Sequence, residues 1–143
     1  MLEKTTSLPL ISDCISAGFP SPAENYIDKR IDLNEELIRN PASTFFLRVH
    51  GESMSNAGIL DGDLLLVDRS LDPQPGHVVV AVINGSFTLK RLTYRNNIPY
   101  LEAEHPNYPA LDLRYCESLQ IWGVAIYAIH RLSRITRHKT ECL

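Results

Sequence analysis

Hydrophobic and polar positions are distributed differently on the two sides of residue 44. From there on, short apolar runs recur at 44–49, 64–67, 78–83, 86–92, 100–103 and 121–130. Each is four to ten residues long and rich in Val, Ile, Leu, Phe or Tyr, which is the signature of β-strands. The breaks between them carry turn residues: Asp61-Gly62-Asp63, Asp72-Pro73-Gln74-Pro75-Gly76, Asn84-Gly85, Asn96-Asn97 and His105-Pro106-Asn107-Tyr108-Pro109. Asn84-Gly85 between two apolar runs is a tight-hairpin signal. The run 78–83 is continuously apolar, whereas 86–92 alternates, with Phe87 and Leu89 on one face and Thr88 and Lys90 on the other. The pattern predicts a mainly β chain folded as a compact, twisted, partly closed β-domain.

Residues 1–43 are poorer in such runs and contain Pro9, Pro20, Pro22 and Pro41. The stretch 17–22 is expected to be extended, because each proline biases the residue before it away from helix. Asp32 followed by Glu35 is a capping-box pattern and predicts a short helix over 33–39, with Pro41 as the stop. Ser21 with Glu24 offers a second, earlier helix start. The expected organisation is an N-terminal arm over 1–43, a β-domain over 44–130 and a basic tail over 131–143.

Composition narrows the function classes. The chain has 143 residues, is 44% hydrophobic and 22% charged, and carries a net charge of −3, so no bulk field drives it toward nucleic acid or an anionic membrane. The longest apolar run, within 121–129, falls short of the ~20 residues that a membrane-spanning helix needs. Glu3 and Asp13 interrupt anything resembling a secretory signal. Cys14, Cys116 and Cys142 are scattered and odd in number, which suits a reducing, cytoplasmic setting rather than a disulfide framework. The five histidines show no zinc spacing, Asp61-Gly62-Asp63 lacks the remaining ligands of a calcium loop, and no phosphate-binding glycine motif occurs, so neither metal nor cofactor is expected. Arg131, Arg134, Arg137 and Lys139 read as solvated, and Trp122 and Tyr127 as core or dimer-interface packing.

The candidate chemistry lies between residues 45 and 92. Ser53 follows Gly51 where a strand gives way to polar residues. A glycine there lets the backbone turn sharply and direct N–H groups at a reacting carbonyl, and the N–H groups of Glu52 and Ser53 are the candidates for that oxyanion site. A serine needs a base within hydrogen-bond reach to act as a nucleophile. Lys90 is the candidate base, provided that burial keeps it neutral; the strand 78–83, folded onto 86–92 through Asn84-Gly85, is the available apolar cover. Taken singly, Ser53 would be a turn residue and Lys90 a solvated one. A Ser-His-Asp grouping with His50 or His77 stands as the alternative.

Several segments resemble the self-cleaving serine peptidase domain shared by LexA-type repressors and UmuD. They are Gly51-Glu52-Ser53-Met54, then Asp61-Gly62-Asp63 leading into Leu64-Leu65-Leu66-Val67-Asp68, then Gly76 before an apolar strand, then Phe87-Thr88-Leu89-Lys90-Arg91-Leu92. Ala17-Gly18-Phe19-Pro20-Ser21-Pro22-Ala23, Ile31-Asp32-Leu33-Asn34 and Pro41-Ala42-Ser43-Thr44 resemble UmuD in particular. The likeness runs to about His130. It implies Ser53 as nucleophile, Lys90 as general base and Ala17-Gly18 as the bond cut in the chain's own arm. It further implies a bacterial SOS-response protein whose cleavage is promoted by a RecA nucleoprotein filament. The product would be a homodimer that joins a UmuC-like Y-family DNA polymerase in error-prone translesion synthesis, with DNA contacted indirectly. The competing functions are a non-cleaving module that holds such a polymerase, and a protease of the same class acting on other proteins.

Overall fold

The computed structural model describes residues 5–12, 14–20 and 26–133. It divides into two units, Met1–Pro41 and Ala42–Leu143. Both expectations for Ser21 with Glu24 and for most of the basic tail fall on residues outside those described.

In the first unit, β1 (Leu8–Ile11) and β2 (Ile27–Ile31) form an antiparallel ribbon with Leu8 opposite Ile31. Arg30 fastens it by donating from Nη2 to the Ser7 carbonyl at 2.8 Å and from Nε to Ser7 Oγ at 3.1 Å. The ribbon departs from the arm expected to be poor in strands. Both runs are short and neither alternates cleanly, so only their pairing with each other, across a long connection, makes them strands. Helix α1 (Leu33–Leu37) follows, capped by Asp32, whose carboxylate accepts the Asn34 N–H at 2.9 Å. It stops two residues before the expected 39, because Ile38 is already extended. Pro41 opens a separate 3-10 turn, Pro41–Ser43.

The second unit is one antiparallel sheet of seven strands, so the chain is mainly β. They are β3 (Thr44–Arg48), β4 (Leu64–Asp68), β5 (Val78–Ile83), β6 (Ser86–Arg95), β7 (Ile98–Glu102), β8 (Leu111–Asp112) and β9 (Leu119–Ile129). Their spatial order is β3-β4-β9-β5-β6-β7-β8, and the sheet is not closed: β3 and β8 are its edges. The last strand in sequence thus lies near the middle, between β4 and β5. Strand β5 matches the sequence expectation end to end, and β6 runs three residues further than expected, to Arg95. The two-residue β8 has no sequence signal of its own; it exists through pairing with Tyr100 and Leu101.

Two hairpins set the register of β5, β6 and β7. Asn84 and Gly85 have φ of 50° and 79°, and Asn96 and Asn97 have φ of 51° and 64°. Positive φ at both central residues matches the right-handed twist of the flanking strands. The core lies on both faces of the sheet. Val79, Ala81, Leu92, Leu101 and Val124 form one cluster, and Leu65, Val67 and Val80 the other, with Leu47, Val49, Leu89 and Trp122 packed against it. Consecutive residues of β5 therefore serve opposite faces, the physical meaning of its unbroken apolar run. Trp122 packs with the rings of Phe45 and Phe87, and the Arg69 guanidinium lies over it at 4.5 Å. Among the described residues no helix is long and apolar enough to cross a membrane.

Candidate active site

Strand β3 does not end freely. The Val49 N–H donates to the Asp63 carbonyl at 2.9 Å and the Gly62 N–H to the Val49 carbonyl at 2.8 Å. Gly51 then turns the chain with φ of 94°, a conformation open to glycine and strained for other residues. Its N–H is held by Asp61 Oδ1 at 2.8 Å. Beyond Ser53 the chain is pinned by Met54, whose side chain is buried and whose carbonyl accepts from Ala57 and Ile59. A 3-10 turn, Ser55–Ala57, follows, and the Asn56 N–H reaches the Glu104 carbonyl at 3.0 Å. Ser53 is thus fixed on both sides, at Gly51 by the 61–63 turn and at Met54 by the core. The N–H groups of Glu52 and Ser53 have no acceptor among the described residues.

Ser53 lines a cavity of about 220 Å³ with Gly51, Met54, Phe87, Thr88 and Leu89 among its walls. Strand β6 supplies the last three; Lys90, the next residue on that strand, does not itself line the cavity. Lys90 stands opposite Val79 and is 8% exposed. Its ammonium end donates to Thr88 Oγ1 at 2.9 Å and to the Leu89 carbonyl at 3.1 Å. Burial pushes its pKa below the ordinary 10.5, and no carboxylate among the described residues opposes that shift. A buried lysine with neutral acceptors only is a group whose proton is easily lost.

The elements bring Ser53 and the β6 segment that bears Lys90 to one cavity, with Thr88 as the shared wall. Ser53 and Lys90 are not hydrogen-bonded to each other; the bonds of Lys90 go to Thr88 and Leu89. Ala17 and Gly18 lie exposed in a bend of the first unit. Of the two histidines in the alternative grouping, His77 is a turn residue whose Nδ1 accepts the Gln74 N–H at 3.1 Å. His50 does line the Ser53 cavity and lies 3.3 Å from Asp61, but its side chain is fully exposed and makes no hydrogen bond to Ser53 among those described. Two contributors escaped the sequence reading. Thr88 was placed on the face of Lys90 without a role, although two residues apart on one strand face is the spacing that lets a hydroxyl meet an ammonium. Asp61 was read as turn chemistry alone.

Comparison with known proteins decides the family: residues 9–126 match the Peptidase S24-like family. The chain belongs to that family. Protein ImpA of Salmonella typhimurium is 49% identical over 125 residues, covering 86% of this chain and 83% of that protein. Protein MucA of Escherichia coli is 44% identical over 128 residues, covering 89% and 87%. The LexA repressor of Vibrio cholerae is 39% identical over 128 residues, which is 89% of this chain and 60% of the repressor. The S24-like match spans both units and places the chain in a serine peptidase class.

Proposed function

We propose that this S24-like chain is a UmuD-like protein that cuts its own Ala17-Gly18 bond with Ser53 as nucleophile and Lys90 as general base. Residues 1–43 serve as the arm that is cut, 44–130 as the peptidase domain and 131–143 as a basic tail. The observation that carries the reading is the burial of Lys90 with no acidic partner among the described residues, which favours its neutral form. The similarity to ImpA and MucA over most of both chains supports the choice within the family.

In this mechanism the lone pair of Lys90 Nζ takes the Ser53 hydroxyl proton as Oγ attacks the Ala17 carbonyl carbon. The negative oxygen that forms is met by the N–H groups of Glu52 and Ser53, which have no acceptor among the described residues. Lys90 passes its proton to the departing Gly18 nitrogen, and the C–N bond breaks. A water, deprotonated by the same lysine, then attacks the Ala17 carbonyl carbon; the ester bond to Ser53 breaks as Lys90 returns the proton to Oγ. Holding the bond on the same polypeptide supplies a high effective concentration, so small residues suffice at the cut. The bond between Lys90 and Thr88 ties Nζ to a residue that lines the Ser53 cavity; its closure onto Ser53 belongs to the complex with the arm, since catalytic hydrogen bonds often tighten only there.

By the same reading the reaction belongs to the bacterial SOS response in the cytoplasm and is promoted by a RecA filament on single-stranded DNA. Residues 18–143 then form a homodimer and join a UmuC-like Y-family polymerase in error-prone translesion synthesis, touching DNA indirectly. The test is the intact mass of purified protein after incubation at alkaline pH, beside Ser53→Ala and Lys90→Ala. A single cut after Ala17, absent from both variants, is expected. Wild type that stays whole at alkaline pH, and also with RecA, ATP analogue and single-stranded DNA, would instead make the chain a non-cleaving polymerase-holding module.

A further inference from the structure

Asp63 is 2% exposed, in the turn before β4. A carboxylate so shielded is tolerated only when its oxygens are hydrogen-bonded. Both are. Oδ2 accepts the Leu60 N–H at 2.9 Å, and Oδ1 lies 2.7 Å from His130 Nδ1. With the carboxylate accepting, Nδ1 carries the proton. His130 follows the last residue of β9, where Ile129 pairs with Leu64. The imidazole is itself 42% exposed, so it covers the carboxylate from the solvent side.

The turn that Asp63 closes is the one that holds the approach to Ser53. The Asp63 carbonyl takes the Val49 N–H, Gly62 donates to Val49, and Asp61 takes the Gly51 N–H. The end of β9 therefore reaches the serine loop through the side-chain pair of His130 and Asp63, beside the backbone pairing of Ile129 with Leu64. Without His130, Oδ1 loses its protein partner, and the turn can relieve that loss by opening to water. Opening would release Val49 and Gly51 together.

We propose that His130 is a positioning residue: by covering the Asp63 carboxylate it fixes the 61–63 turn, and through that turn the entry of the chain into Ser53. The inference rests on Ser53 being the nucleophile.

Full-length His130→Leu and His130→Asn are compared with wild type, the asparagine offering an amide N–H in place of Nδ1–H. Self-cleavage is followed by intact mass across an alkaline pH series. Backbone amide hydrogen exchange is measured with Ser53→Ala added to each, so that the chains stay whole. His130→Leu lowers the maximal cleavage rate roughly ten- to hundredfold, as misplacement of a reacting group does, and His130→Asn returns it to within about threefold of wild type. The midpoint of the pH profile, set by Lys90, stays in place. Exchange quickens at Val49, Gly51 and Gly62 in the leucine variant and not in β5 or β6. Wild-type cleavage by His130→Leu, failure of asparagine to restore it, or exchange that rises equally throughout the sheet would each overturn the proposal. If wild type itself never cleaves, the peptidase reading falls, and the exchange at Val49, Gly51 and Gly62 alone decides whether His130 holds the turn.

Discussion

Lys90 Nζ donates to Thr88 Oγ1 across 2.9 Å, and Thr88 forms part of the cavity wall at Ser53. Two residues apart on one face of β6, the pair ties the lysine end to Thr88 instead of leaving it free among rotamers. An acceptor hydroxyl also favours the charged amine, so it works against the burial that favours the neutral one. Thr88→Val separates the two effects. Its cleavage profile is expected to shift to lower pH while the maximal rate drops about tenfold, short of the roughly 10²–10⁴-fold that a general base contributes, because the lysine is still present. Thr88→Ser keeps both at wild-type values. A valine variant with an unchanged rate would remove Thr88 from the site.

The pH dependence of cleavage follows from the lowered pKa of Lys90. The base acts only after losing its proton, so the rate rises with pH and levels off above a midpoint lying below 10.5. Intact-mass time courses from mildly acidic to alkaline buffer measure it. A flat profile would deny Lys90 the role of base.

Stability carries the same shift with its own sign. Between the folded pKa of Lys90 and 10.5 the unfolded chain binds more protons than the folded one, so stability from this group rises with pH through that window. Below the window the buried charge is a full penalty. Lys90→Met, which keeps the length and removes the charge, is expected to melt at a higher temperature than wild type near neutral pH. The gap should narrow toward pH 10. Thermal melts at several pH values test both parts.

At the bond to be cut, a Cβ added to Gly18 meets nothing within 4 Å. Gly18→Leu is therefore expected to leave the melting temperature unchanged while blocking cleavage, because the added side chain clashes only when the bond enters the site. Normal cutting of that variant at the same bond would remove the steric argument for a small residue there.

Gly123 poses the opposite case. A Cβ there would stand 2.6 Å from Val67 Cγ1 and 3.4 Å from the Asp68 carbonyl oxygen, between β4 and β9. Gly123→Ala forces the neighbouring strand aside, and a destabilisation of about 1–3 kcal/mol is expected from overpacking. Denaturant unfolding measures it. Because Val67 and Val80 share one core cluster, the loss should appear as a single cooperative transition of the sheet.

The strands from β3 to β7, and β9, were legible because each is an apolar run closed by residues that make turns for local reasons. Asn84-Gly85 and Asn96-Asn97 take positive φ wherever they occur in a tight hairpin. The ribbon of β1 and β2, and the two-residue β8, were not legible. Their hydrogen bonds are made with partners remote in sequence, and no local pattern records the pairing. Helix α1 shows both sides of this within a few residues. The Asp32 cap was readable, whereas the extended Ile38 that ends the helix was not.

By itself, then, the sequence determined a mainly β chain, its hairpins, and the motif around Ser53 and Lys90 that resembles the family it belongs to. It did so because alternation, turn chemistry and motif spacing are local properties. Only the tertiary structure decided that β9 enters between β4 and β5, that Val79 stands opposite Lys90, that Thr88 accepts from it, and that His130 closes over Asp63. Those contacts depend on which faces meet when the sheet is assembled. A lysine pKa or the stiffness of a serine loop arises from desolvation and hydrogen bonding among residues that only folding brings together.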